Sequence, residues 1–118
     1  MTTRPEEITS RFLDELDRHL HDIVSGKTDI YFEIQDFAGI LHIHPTHLSN
    51  TIQQTTGKSP CDLGHEKTIA VAKKLLENPE LTNSEVAYKL TYEPTNFTKY
   101  FKKHTGITPS AYRKTKTN

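Results

Sequence analysis

Phe37-Ala38-Gly39-Ile40-Leu41-His42-Ile43-His44-Pro45-Thr46-His47-Leu48 returns 49 residues later as Val86-Ala87-Tyr88-Lys89-Leu90-Thr91-Tyr92-Glu93-Pro94-Thr95-Asn96-Phe97. The correspondence continues without a gap, Thr56-Gly57-Lys58-Ser59-Pro60 matching Thr105-Gly106-Ile107-Thr108-Pro109. Each copy predicts a short helix, a turn and a longer helix. Proline suits the first position of the longer helix, where its missing N–H costs nothing, and glycine suits the left-handed position that closes it. This is the helix-turn-helix plan. The second helix of such a unit enters a DNA major groove. Two units in one chain imply that two groove segments are read by a single protein, bound as a monomer.

Around the repeats the pattern is helical throughout. Thr3-Arg4-Pro5-Glu6 has capping-box spacing, and Ile8, Phe12, Leu16, Leu20 and Ile23, flanked by Leu13 and Val24, form one apolar face ending at Ser25-Gly26. Ile30-Tyr31-Phe32 could form a strand, but the repeat behind it makes it a lead-in to the next helix. Ser59-Pro60 opens a connecting helix carried by Leu63, Ile69, Ala72, Leu75 and Leu76 to Asn78-Pro79, about 28 Å long at about 1.5 Å per residue. Thr82-Asn83-Ser84-Glu85 is a capping box for the second repeat, and Thr108-Pro109 starts a last turn bearing Tyr112 and Arg113. The expectation is an all-α fold in three parts. Residues 1–57 hold the N-terminal helix and first helix-turn-helix unit, 58–79 the linker helix, and 80–118 the second unit.

The 118 residues, 33% of them hydrophobic, allow a modest core divided between the repeats. No apolar run approaches the about 18 residues of a membrane span. No secretory signal opens the chain, and the single cysteine, Cys61, fits a reducing compartment. A soluble, cytoplasmic protein is expected. Met1 followed by a capping box favours a stand-alone protein over the end of a longer one. Net charge is zero, yet residues 1–57 carry 4 Lys/Arg against 9 Asp/Glu and residues 58–118 carry 11 against 6. The halves are therefore −5 and +5, and no Lys or Arg lies between Lys27 and Lys58. The C-terminal half suits phosphate.

These features in this order resemble the DNA-binding domain of AraC-type transcription regulators. The resemblance rests on the two repeats, Ala72-Lys73-Lys74-Leu75-Leu76, and Gly106-Ile107-Thr108-Pro109-Ser110-Ala111-Tyr112-Arg113, and spans Glu6 to Lys114. It implies a bacterial regulator that binds double-stranded promoter DNA and contacts RNA polymerase. The chain departs from the family where His42 and Thr91 replace turn glycines and Thr68 replaces an arginine. The second turn, Thr91-Tyr92-Glu93-Pro94, reads as one residue shorter than the family pattern.

Helical spacing sends Leu48, Thr51 and Ile52 to the core and leaves Thr46, Ser49, Asn50 and Gln53 outward, with His47 on the flank. Asn and Gln pair with adenine edges. In the second repeat Phe97, Phe101 and part of Tyr100 face inward. Thr95, Thr98, Lys99 and Lys102 face outward, flanked by Asn96, Lys103 and His104. Lys99 suits a guanine; Lys102 and Lys103 suit phosphates, with Arg113 and Lys114 as further phosphate contacts. His42-x-His44-x-x-His47 and Cys61-x-x-x-His65 have metal-like spacing but lack a third or fourth ligand, so neither a metal nor a cofactor is expected. No nucleophile set, paired acids or phosphate loop suggests an enzyme. The competing reading is a degenerate helix-turn-helix module that binds RNA polymerase or another regulator, and only weakly DNA.

Overall fold

Pro45 and Pro94 each open a helix at its first position, and Gly57 and Gly106 close those helices with φ of 74° and 86°. The computed structural model describes residues 4–116, so Thr3 of the first capping box lies outside the described residues. Among the described residues seven helices follow one another: α1 (Arg4–Ser25), α2 (Ile34–Leu41), α3 (Pro45–Thr56), α4 (Pro60–Leu76), α5 (Asn83–Lys89), α6 (Pro94–Thr105) and α7 (Pro109–Lys116). No strand occurs among the described residues. Ile30-Tyr31-Phe32 is a lead-in without regular structure, from which the Tyr31 hydroxyl bonds to Leu90 O and the Phe32 N–H to His19 Nε2.

The turns of the two units are equal in length and in hydrogen bonding. Ile43 N–H donates to Ala38 O at 3.0 Å and Tyr92 N–H to Ala87 O at 2.9 Å. His42 N–H donates to Gly39 O at 3.3 Å and Thr91 N–H to Tyr88 O at 3.0 Å. This paired 6→1 and 5→2 pattern is a Schellman closure. His42 and Thr91 take the left-handed conformation there, with φ of 57° and 65°. Replacing glycine has kept the turn geometry at a cost in strain, and the second turn is no shorter than the first.

Apolar spacing builds two buried clusters. In the first, Ile8, Phe12, Leu16 and Leu20 of α1 pack on Phe37, Ala38 and Leu41 of α2 and on Leu48 and Ile52 of α3. In the second, Ile69, Ala72 and Leu76 of α4 meet Val86, Ala87 and Leu90, then Phe97, Phe101 and Tyr112. Val71 packs against both clusters and Val24 of α1 against the second, so α4 and α1 tie them together. Thr68, where the family carries arginine, is buried and donates its hydroxyl to Gly64 O at 2.8 Å.

The connecting helix stops at Leu76, short of the expected Asn78. Glu77 caps it, and Asn78 N–H turns back to Leu75 O at 3.1 Å. Its 17 residues span about 25 Å rather than 28 Å. The molecule measures 44 × 28 × 24 Å along its principal axes.

Candidate nucleic-acid interface

Burial of Leu48, Thr51 and Ile52 forces the opposite side of α3 into solvent. Thr46, His47, Asn50 and Gln53 are exposed there and Ser49 is half-buried. Gln53 Nε2 lies 3.4 Å from Gly57 O, a long contact that leaves the amide easily recruited elsewhere. In α6, burial of Phe97 and Phe101 exposes Thr95, Asn96, Thr98, Lys99, Lys102 and Lys103. Thr98 Oγ1 is turned back to its own helix, donating to Pro94 O at 3.1 Å. The structure thus gathers both expected sets, each on one helix face. It does not do so for Arg113, whose guanidinium donates to Leu81 O and is half-buried. Arg113 joins α7 to the loop after α4 and is not placed as a phosphate contact.

The two exposed helices differ in charge at their N-termini. His44 caps α3, its Nδ1 accepting from Thr46 N–H at 3.2 Å. Glu93, its counterpart in the second repeat, caps α6 by accepting from Asn96 N–H at 3.2 Å. The Thr95 and Asn96 backbone N–H groups hold the Glu93 carboxyl below its ordinary value. A helix N-terminus is suited to a phosphate anion, and in α6 that place is taken by the protein's own carboxylate.

Residues absent from the expected site position α6. Tyr31 Oη donates to Leu90 O at 2.6 Å, bridging the lead-in to the end of α5. Tyr92 stacks on Tyr100 at 4.9 Å, and His65 Nδ1 of α4 lies 2.8 Å from Tyr100 Oη. His104 stacks on His65 at 4.7 Å. Burial, with the neighbouring Tyr92, pushes the Tyr31 phenol up to about 12, and burial likewise raises Tyr92 and Tyr100. All three stay protonated near neutrality. Tyr92 and Tyr100 replace Ile43 and Thr51 of the first repeat, and that asymmetry was the available sequence signal. Cys61 Sγ and His65 Nε2 lie 3.5 Å apart on one face of α4, while His44 is engaged as a cap.

A family model described as a helix-turn-helix domain matches residues 37–115. The chain belongs to the AraC-type helix-turn-helix family. It is 33% identical over 101 residues to YisR of Bacillus subtilis, an uncharacterized HTH-type transcriptional regulator, covering 85% of this chain and 34% of that protein. It is 30% identical over 91 residues to the HTH-type transcriptional activator RhaR of Cronobacter sakazakii, covering 76% and 32% of the two chains. The chain thus spans about a third of the length of these curated relatives. The C-terminal domain of AraT, a response regulator of Geobacillus stearothermophilus, superposes with a TM-score of 0.79 at 27% identity, covering 96% of this chain and 88% of that one. The DNA-binding domain of AdpA, solved with a target DNA, shares the fold at a TM-score of 0.64 and 21% identity, covering 82% and 91%. Family and fold are those of DNA-binding transcription regulators. Among the described residues no helix is long and apolar enough to cross a membrane.

Proposed function

We propose that the chain is a DNA-reading unit of a transcription regulator, seating α3 and α6 in successive major-groove segments of promoter DNA. The observation that carries this reading is the pair of equivalent units whose second helices bury one face and leave polar, groove-sized side chains on the other. Thr46, His47, Ser49, Asn50 and Gln53 read bases from α3. Thr95, Asn96, Thr98 and Lys99 do so from α6, while Lys102 and Lys103 hold phosphate. The protein works as a monomer in the bacterial cytoplasm, and RNA polymerase is the protein partner the family suggests.

Selection of bound duplexes from a random pool at moderate salt, followed by a salt titration, tests the proposal. One asymmetric sequence should be enriched, and affinity should fall as salt rises, since each neutralised phosphate contributes about −0.9 to the logarithmic slope. No enrichment together with salt-independent binding would overturn it in favour of a protein-interaction module.

A further inference from the structure

A cavity of about 540 Å³ opens where α1, α2, α4 and α6 meet. That lies within the range of about 300–1,000 Å³ typical of small-molecule sites. Phe12, Leu16 and Phe37 form an apolar wall, and Tyr31, Tyr92 and Tyr100 supply aromatic surface. Glu33 is the carboxylate among the lining residues; it is exposed at the cavity rim, where it caps α2 and accepts from Gln35 Nε2 at 3.2 Å, and the lining includes His65 but no Lys or Arg. The carboxylates of Asp22 and Asp36 also act on His19, which lines the same space and is kept below its ordinary imidazole value by burial. Negative charge beside neutral aromatic rings is complementary to a cation, because ring faces carry negative potential. Gly64 lies on this wall within α4, where an interior glycine weakens a helix. A Cβ built there meets nothing within 4 Å, so packing does not require the glycine, and a long side chain at this lining position would project into open space.

We propose that this cavity binds a hydrophobic organic monocation and is an effector site. The occupant would lie against Tyr92 and Tyr100, which position α6, and against α1 and α2 of the first unit. Occupancy would therefore change how the two reading helices are held. The regulatory part rests on the DNA-reading role proposed above; the binding part does not.

Tetraphenylphosphonium and tetraphenylborate share a shape and differ in the sign of their charge, so the pair tests the site directly. Each is titrated at pH 7.5 without DNA, following the amides of Gly64 and Thr68 and the alkylation rate of Cys61, the chain's single thiol, which lines the cavity. The cation should saturate, shift those amides, slow alkylation and raise Tm, while the anion should not perturb them. Glu33→Gln should weaken cation binding about threefold, the scale of a contact to an exposed charge. Gly64→Leu should keep the helical circular dichroism and lose the site. No saturable binding, equal perturbation by the anion at these amides, or undiminished binding in Gly64→Leu would overturn the proposal. The cation is then added to a complex with the selected duplex. A shift in DNA affinity of about fivefold or more supports the effector role, what a coupling at the lower end of the allosteric range gives. Binding to the free protein with no shift in an otherwise normal DNA isotherm removes that role.

Discussion

Thr91 is β-branched and sits at φ 65°, a conformation that such side chains rarely adopt. His42 occupies the equivalent position at φ 57° and pays less, since histidine tolerates it better. Left-handed residues other than glycine cost roughly 1–2 kcal/mol, and glycine returns about 0.5–1 kcal/mol of that as extra backbone entropy in the unfolded chain. Thr91→Gly should therefore stabilise the protein by about 0.5–1 kcal/mol, and His42→Gly by less, in urea denaturation. A net loss of stability would show that the strain at Thr91 is smaller than the entropy glycine adds to the unfolded chain. His19 makes a second prediction. It is 5% exposed, stacks on Phe32 at 4.0 Å and accepts from Phe32 N–H at 3.0 Å through Nε2. Burial lowers its pKa below the ordinary imidazole value of about 6.5, outweighing the carboxylates of Asp22 and Asp36. As pH falls below 6.5 the unfolded chain takes up this proton before the folded one does. The stability that neutral His19 contributes is complete above that value and is lost as pH falls through the lower, folded value. Urea midpoints should drop between neutral and mildly acidic pH, and His19→Gln should flatten that drop. An unchanged pH profile in the variant would remove His19 as its source.

At the scale of elements, α6 brings together lysines on its exposed face and a carboxylate at its entrance. Lys99→Ala should relax preference at one base position by about 1–3 kcal/mol if the ammonium reads guanine. Lys102→Ala should weaken all sequences alike and reduce the salt slope by about one. If neither change alters binding to the selected duplex, α6 is not a reading helix. Glu93→Ser keeps an N-cap oxygen, so stability should stay within about 0.5–1 kcal/mol, and it removes a negative charge from the end of the helix that would face phosphate. Affinity for random duplex should rise, most at low salt, as measured by fluorescence anisotropy. Affinity that stays the same at every salt would place this end away from the backbone. Helix limits in both repeats were legible because proline, glycine and capping residues act locally, and core faces because a helix repeats every 3.6 residues. The Tyr31–Leu90 bridge joins residues 59 apart, and the reach of Tyr100 to His65 spans 35. Periodicity carries no information about such pairs. The bond from Arg113 to Leu81 O was hidden for the same reason: sequence shows the charge, whereas only packing shows this partner.

The whole molecule holds α3 and α6, the proposed reading helices, in one body whose long axis is 44 Å, against about 34 Å for a turn of B-DNA. Three links work against independent movement of the two units. Tyr31 bonds to Leu90 O, Val24 of α1 packs against the second cluster, and Lys67 of α4 pairs with Asp17 of α1 at 3.0 Å. The exposed ion pair is the weakest of these, because solvent screens it. A body of this kind sets a fixed helical phase between its two half-sites. Inserting about 5 base pairs between them turns one groove to the far side of the duplex, since a turn takes about 10–10.5 base pairs. Binding should then fall to that of α6 alone, the basic half of the protein, and footprinting should show protection of one groove segment. An insertion of a full turn restores the phase but exceeds the reach of a 25 Å linker helix, so it should not recover affinity. Tyr31→Phe tests whether the bridge matters, because it keeps the ring and removes the hydroxyl. The penalty for the half-turn insertion should shrink in that variant, as a looser pair of units adapts to the wrong phase. Sedimentation of the complex should meanwhile show one protein per asymmetric site. Equal affinity for the original and half-turn spacings in the wild type, or two proteins on a palindrome, would mean that the units do not read DNA as one rigid pair.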